Sequence, residues 1–262
     1  MTAVSARRRH PALLVVEHHY RRHKRAWSSI VATGIIGPVL TFIALGFGLG
    51  SQIDDTSSLG TEDYLTFVGP GVMAGTAIVQ GGMDSLWRTY GMLKWDGTYK
   101  TVAFTPSSPA EIAGGHLIFI GLRVAVSSTL YLLVLLLAIG WTGPLALLSP
   151  FVAGLTASAM AALIAGYTSR AESEAGFSVL ARLVVTPLFV FSGTFVSVET
   201  LPVLLGWFIK LTPGYHGIEL TRGLVNDSLS LGGGLGHLVV LLAWVGVGAV
   251  ATSAGFRKTL ST

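Results

Sequence analysis

The chain contains no cysteine, which excludes disulfides, thiolate metal sites and cysteine nucleophiles. Charge is scarce as well. Asp, Glu, Lys and Arg make up 11% of the 262 residues, against about 25% in soluble globular domains. No Gly-x-x-x-x-Gly-Lys-Ser/Thr segment occurs, so the chain carries no phosphate-cradling loop of its own. What fills the space is apolar: 51% of residues are hydrophobic and the mean hydropathy is +0.67. Residues 28–50 and 124–169 hold no Asp, Glu, Lys, Arg or His. A helix crosses a bilayer core of about 30 Å with about 20 apolar residues, so the second run can cross twice around the turn at Gly140-Trp141-Thr142-Gly143-Pro144. The pattern is that of an all-α polytopic integral membrane protein.

The pattern predicts six transmembrane helices near residues 28–50, 64–86, 112–139, 145–168, 177–198 and 235–256. A transmembrane domain then fills 28–256, between a basic segment at 1–27 and a tail at 257–262. Basic residues set the orientation. Seven Lys or Arg lie in the N-terminal segment, Arg88, Lys94 and Lys100 in the second-to-third connection, and Arg257 and Lys258 in the tail. The 51–63 connection has none, against Asp54, Asp55, Glu62 and Asp63. Both termini are expected on the cytoplasmic side of the cell membrane. The net charge of +4 then points to anionic headgroups as partner, and not to nucleic acid.

The first residues do not read as a cleavable signal, because 12–16 is too short an apolar core and Glu17 to Arg22 break it. They read as a helix lying in the membrane interface. Leu13, Val16 and Tyr20 share one face, Arg21, Arg22, Lys24 and Arg25 grip headgroups, and Trp27 anchors the entry to the first span. His18, His19 and His23 are taken as interfacial residues, and His116, His216 and His237 as scattered, so no metal site is expected.

Two long connections stand out. Residues 87–111 begin with helical character and end at Thr105-Pro106-Ser107-Ser108-Pro109, where Ser107 or Ser108 can cap the next helix. This predicts a short helix at the membrane surface. Residues 201–211 are apolar but half a span long, and residues 215–225 follow with His216, Glu219 and Arg222. Together they predict a re-entrant hairpin in the outer leaflet before the sixth span. Arg123 and Arg182 fall inside predicted spans, where a charge costs at least about 2.5 kcal/mol unless it pairs or snorkels. Arg182 is near a span end and can snorkel. Arg123 is deeper and can pair with Asp84, meet an anionic headgroup, or touch substrate. Gly71 and Gly75 fit the small-xxx-small pattern of close helix contact.

Three segments resemble ABC-2 type ABC exporter permeases, of the nodulation-factor (lipo-oligosaccharide) and daunorubicin-type drug export kind. They are Asp96-Gly97-Thr98-Tyr99 with Phe104-Thr105-Pro106 and Ile112-Ala113-Gly114-Gly115, Phe191-Ser192-Gly193-Thr194-Phe195 with Leu201, Pro202 and Trp207, and Thr212-Pro213 with Glu219-Leu220 and Arg222-Gly223. The resemblance implies a permease subunit that exports amphiphilic, lipid-linked or drug-like cargo. It implies a cytoplasmic ABC ATPase in two copies as the site of ATP and Mg, with no cofactor in this chain, and a second permease chain, identical or related. It further implies that Leu93, Lys94, Trp95, Asp96, Gly97, Thr98, Tyr99, Phe104, Thr105 and Pro106 form the coupling helix seated in that ATPase, where Met92, Trp95, Tyr99 and Phe104 are the large anchors. Two other classes stay open from the residues themselves. A lipid-modifying membrane enzyme would need acids and histidines clustered at one face. An ion-coupled secondary transporter would need inverted repeats with matching broken helices.

Overall fold

The structure is a computed structural model, and it describes residues 10–24, 32–50 and 63–260. Every element among them is helical. Helix α1 is Pro11–Lys24, and α2 is Gly37–Phe42, lengthened by π-helical turns at Ala32–Ile36 and Ile43–Leu49. Helix α3 is Tyr64–Tyr90, continued by a π-helical turn at Gly91–Trp95, and α4 is the short Thr98–Ala103. Helix α5 is Pro109–Ile139, and α6 is Ser149–Thr168 after a 3-10 turn at Pro144–Leu148. Helices α7 (Phe177–Leu180) and α8 (Thr186–Phe191) are joined by a π-helical turn at Ala181–Val185. The hairpin is α9 (Val203–Lys210) and α10 (Pro213–Val225), and α11 is Leu231–Leu260.

Three stretches are long and apolar enough to cross a membrane: Pro109–Ile139, Pro144–Thr168 and Leu231–Leu260. Gly34–Gly48 and Phe177–Phe191 are shorter apolar helices. Helix α3 has the length, 27 residues, but carries Asp84, Arg88 and five glycines. In α6, 67% of the most apolar window is buried, against 33% in α5 and 22% in α11, so α6 is the central post. Its Ala-, Gly- and Ser-rich surface lets α3, α5 and α11 close on it. Side-chain hydroxyls tie these contacts. Ser85 donates to the Ala161 carbonyl at 2.8 Å, Thr252 to the Ala162 carbonyl at 2.9 Å, and Ser158 to the Leu117 carbonyl at 3.3 Å.

Proline 70 lies inside α3 and has no N–H for the Thr66 carbonyl. Asn226, just beyond α10, supplies the missing donor at 3.0 Å. Next to it, Arg222 Nε donates to the Phe67 carbonyl at 3.3 Å, and the Tyr131 hydroxyl donates to the Gly69 carbonyl at 3.0 Å. The broken turn of α3 is therefore closed by side chains of α5 and of the hairpin, as buried backbone requires. Gly71 and Gly75 face the turn after α8. A Cβ on Gly71 would lie 2.5 Å from the Thr194 carbonyl oxygen, and one on Gly75 2.6 Å from Thr194 Oγ1.

Three helices differ from the sequence expectation. The sixth, α11, runs from Leu231 to Leu260 instead of 235–256, taking in most of the expected tail. The second apolar helix does not stop at residue 86 but continues through Trp95, because nothing in 87–95 breaks a helix. The fifth stops early: helix ends at Phe191, and the chain turns at Gly193 (φ 96°), seven residues before the expected end at 198. The third begins as expected at the Ser-Pro pair. Ser108 Oγ accepts from Glu111 N at 3.2 Å, and Glu111 accepts from Ser108 N at 2.7 Å.

Candidate functional site

The expected surface helix grows directly out of α3. Asp96 N donates to the Gly91 carbonyl at 2.8 Å and closes the π-helical turn. Gly97 then takes φ +63°, a left-handed conformation that glycine adopts without a Cβ clash, and α4 starts in a new direction. This geometry sorts residues 93–106 into two sets. Leu93 and Tyr99 are each 1% exposed and pack with Met92, Val15, Ile112 and Phe256. Lys94, Trp95, Asp96, Lys100, Phe104, Thr105 and Pro106 are exposed, with Thr98 half-buried. Phe104 is 92% exposed and Trp95 59%. Of the four large anchors expected to face outwards, Met92 and Tyr99 instead belong to the chain's own core. Their helical register, set by α3 and Gly97, turns them inward.

A polar chain runs beneath this surface. The Tyr99 hydroxyl lies 3.0 Å from His19 Nε2 and 2.8 Å from His116 Nδ1. His116 Nε2 meets Thr89 Oγ1 at 3.0 Å, and Thr89 Oγ1 stands 3.5 Å from Ser85 Oγ, whose bond to the Ala161 carbonyl reaches α6. The hydroxyl has one hydrogen, so it donates to one imidazole and accepts from the other. Both imidazoles and the tyrosine are essentially buried, and His19 also stacks on Phe119 at 4.8 Å. Burial pushes the Tyr99 hydroxyl above its ordinary pKa and pulls His19 down to about 2. One chain of side chains thus joins α1, α4, α5, α3 and α6. An orphaned buried donor or acceptor costs about 1–3 kcal/mol, so this arrangement resists slippage of α4 against its neighbours.

This corrects the reading of His19 as interfacial filler. The face of α1 that packs on the protein is Ala12, Val15 and His19, while Leu13 and Tyr20 are exposed on the other side. The spacing of 12, 15 and 19 is as helical as that of 13, 16 and 20. Hydrophobicity alone favoured the second. His216 and His237 are not scattered either: their Nδ1 atoms lie 2.8 Å apart. His216 Nε2 points at the Lys210 carbonyl at 2.9 Å and so carries hydrogen, which makes His237 Nδ1 the donor of the pair when both rings are neutral. Among the described residues no three His, Asp or Glu converge as metal ligands.

The basic residues divide by depth. Arg123 lies 2.7 Å from Asp84 with its side chain 7% exposed, and Arg88 lies 3.9 Å from the same carboxylate. Arg182 is exposed on the π-helical turn between α7 and α8. On α1, Arg21 pairs with Glu17 at 2.6 Å and Arg22 reaches across to Asp96 at 2.6 Å. Lys24 is the last residue of α1, and Arg25 and Trp27 lie outside the described residues.

In the hairpin, Trp207 is 69% exposed, Pro202 is exposed and Leu201 half-buried, while Pro213 is buried where α9 gives way to α10. Arg222 is 8% exposed. It bonds Glu219 and the Gly193 carbonyl and stands 3.9 Å over the Phe67 ring. Sequence reasoning placed Arg222 on the hairpin but not its hold on α3, which only the fold brings within reach.

Residues 12–225 match the family described as ABC-2 type transporter. The chain is 25% identical over 246 residues to Nodulation protein J of Rhizobium meliloti (strain 1021), covering 92% of both chains. It is 26% identical over 226 residues to Nodulation protein J of Rhizobium leguminosarum bv. trifolii, covering 84% of this chain and 81% of that one. With the matched region taking in α1, the surface element at 93–106 and the hairpin, the chain belongs to the ABC-2 type transporter family.

Proposed function

We propose that this permease subunit is driven through residues 93–106 by a separate cytoplasmic ATPase, and that it exports an amphiphilic or lipid-linked cargo. Family membership decides among the three classes in favour of the transporter and implies an ABC ATPase as partner. The observation that carries the docking reading is the contrast within one short element. Phe104 and Trp95 project from a platform whose other side is locked by Tyr99 into α1 and α5. Exposed aromatics on a rigid base, rimmed by Lys94, Asp96 and Lys100, have the make-up of an interface centre with a wet rim. Beside them a largely apolar groove of about 720 Å³ opens between α1 and α4, lined by Leu14, His18, Val102 and Pro106.

In this reading the chain crosses the membrane six times with both termini in the cytoplasm. Helix α1 lies at the inner surface and the α9–α10 hairpin enters the outer leaflet. Two permease chains and two ATPase subunits form the complex, with ATP and Mg on the ATPases. Closure of the ATPases pushes α4, and the polar chain from Tyr99 to Ser85 passes the displacement to α3 and α6. The apolar exposed faces suit an amphiphilic cargo.

The test is ATP hydrolysis by the co-purified complex. Phe104→Asp and Trp95→Ala are expected to leave membrane insertion intact while lowering ATPase retention at least tenfold, the size of one lost interface anchor. Normal co-purification and hydrolysis by the double variant would overturn the docking reading.

A further inference from the structure

A cavity of about 390 Å³ opens where α3 leaves the apolar core, between its last turns and α1. Its wall includes Arg22, Asp84, Trp87, Arg88, Trp95 and Asp96. Trp87 and Trp95 stack with centroids 6.3 Å apart and are 41% and 59% exposed. Behind Asp84 stands Arg123. Three guanidinium groups therefore face two carboxylates, leaving one positive charge unbalanced. The forks are also unfilled: among the described residues, the buried Nε atoms of Arg88 and Arg123 have no hydrogen-bond partner. Asp84 holds both arginines by proximity, since its Oδ2 makes no aligned hydrogen bond in spite of the 2.7 Å contact.

We propose that this cavity binds the phosphate of an anionic phospholipid headgroup of the inner leaflet, with Arg88 and Arg22 as its contacts and Arg123 as the charge behind them. A phosphate offers the several acceptor oxygens that planar guanidinium forks match in pairs. The site is open beside Trp87, which is 41% exposed, and an indole ring favours the glycerol and carbonyl level of a bilayer. A carboxylate ligand would offer these guanidinium groups fewer acceptor oxygens, and a cation would meet the surplus positive charge. The docked lipid would touch Trp95 and Asp96, so its binding reports directly on the element that meets the ATPase. The inference rests on the reading that places this end of α3 at the cytoplasmic membrane surface.

The full chain is reconstituted in nanodiscs of phosphatidylcholine and phosphatidylglycerol in equal parts, released gently, and its retained lipids are counted by native mass spectrometry. Wild type is expected to retain phosphatidylglycerol preferentially, and Arg88→Gln to lose that preference about tenfold. Arg22→Gln lies on the exposed side of α1 and decides the matter if the Arg88 variant aggregates. Stripping of the bound lipid by inorganic phosphate at millimolar concentration would assign a free phosphate or phosphorylated solute to the same site. Retention that does not distinguish the two lipids, or that is unchanged in both variants, would overturn the proposal. The readout needs no ATPase, so its failure leaves the docking reading standing.

Discussion

At the scale of single residues, His19 shows how burial changes what a side chain can do. Desolvation, aided by His116 and Arg88, lowers its pKa from 6.5 to about 2, so it stays neutral in the folded chain. The unfolded chain takes up that proton first, at its ordinary 6.5. The stability tied to neutral His19 is therefore complete above pH 6.5 and is lost as pH falls from there toward the folded value. One pH unit inside that window corresponds to about 1.4 kcal/mol. Thermal unfolding in detergent at a series of pH values is expected to show a fall between pH 6.5 and 5 that His19→Gln makes shallower. An identical slope in that variant would mean that the proton goes elsewhere. The sequence showed His18, His19 and His23 within α1 but could not say that His19 points inward, because two stripes of α1 have equally helical spacing.

At the scale of elements, the hairpin is held less by its own apolar length than by Arg222. Its guanidinium ties α10 to the Phe67 carbonyl of α3 and to the Gly193 carbonyl after α8, while Asn226 fills the gap left by Pro70. Arg222→Leu would strand Glu219 and two carbonyls, and removing one partner of a buried pair costs about 3–5 kcal/mol. Thermal stability of the purified chain is expected to fall by that order. Arg222→Lys is expected to recover only part of it, because an ammonium cannot reproduce the fork. Full recovery by lysine would show that charge alone matters there. The hairpin itself was legible from an apolar run too short to cross. Its attachment was not, since residues 67, 193 and 222 are distant along the chain.

At the scale of the whole molecule, orientation is the property most open to direct measurement, because the chain has no cysteine to remove. Phe104→Cys and Ser228→Cys place single thiols at exposed positions, the second in the turn between the hairpin and α11. A membrane-impermeant maleimide is expected to label position 104 only in inverted vesicles and position 228 only in intact cells. Labelling of both from the same side would refute the six-crossing arrangement. The sequence by itself determined the membrane class, the approximate apolar segments, the surface element and the hairpin, because hydropathy, charge placement and helix-breaking residues act locally. Tertiary structure alone decided which aromatics of 93–106 face outward, that His19 and His116 share one tyrosine, that Arg123 stands by Asp84, and that Pro70 is answered from α10. These depend on helix rotation and on approach between segments dozens of residues apart. With apolar residues on every face of a membrane helix, periodicity carries little sign of which side will meet protein and which will meet lipid.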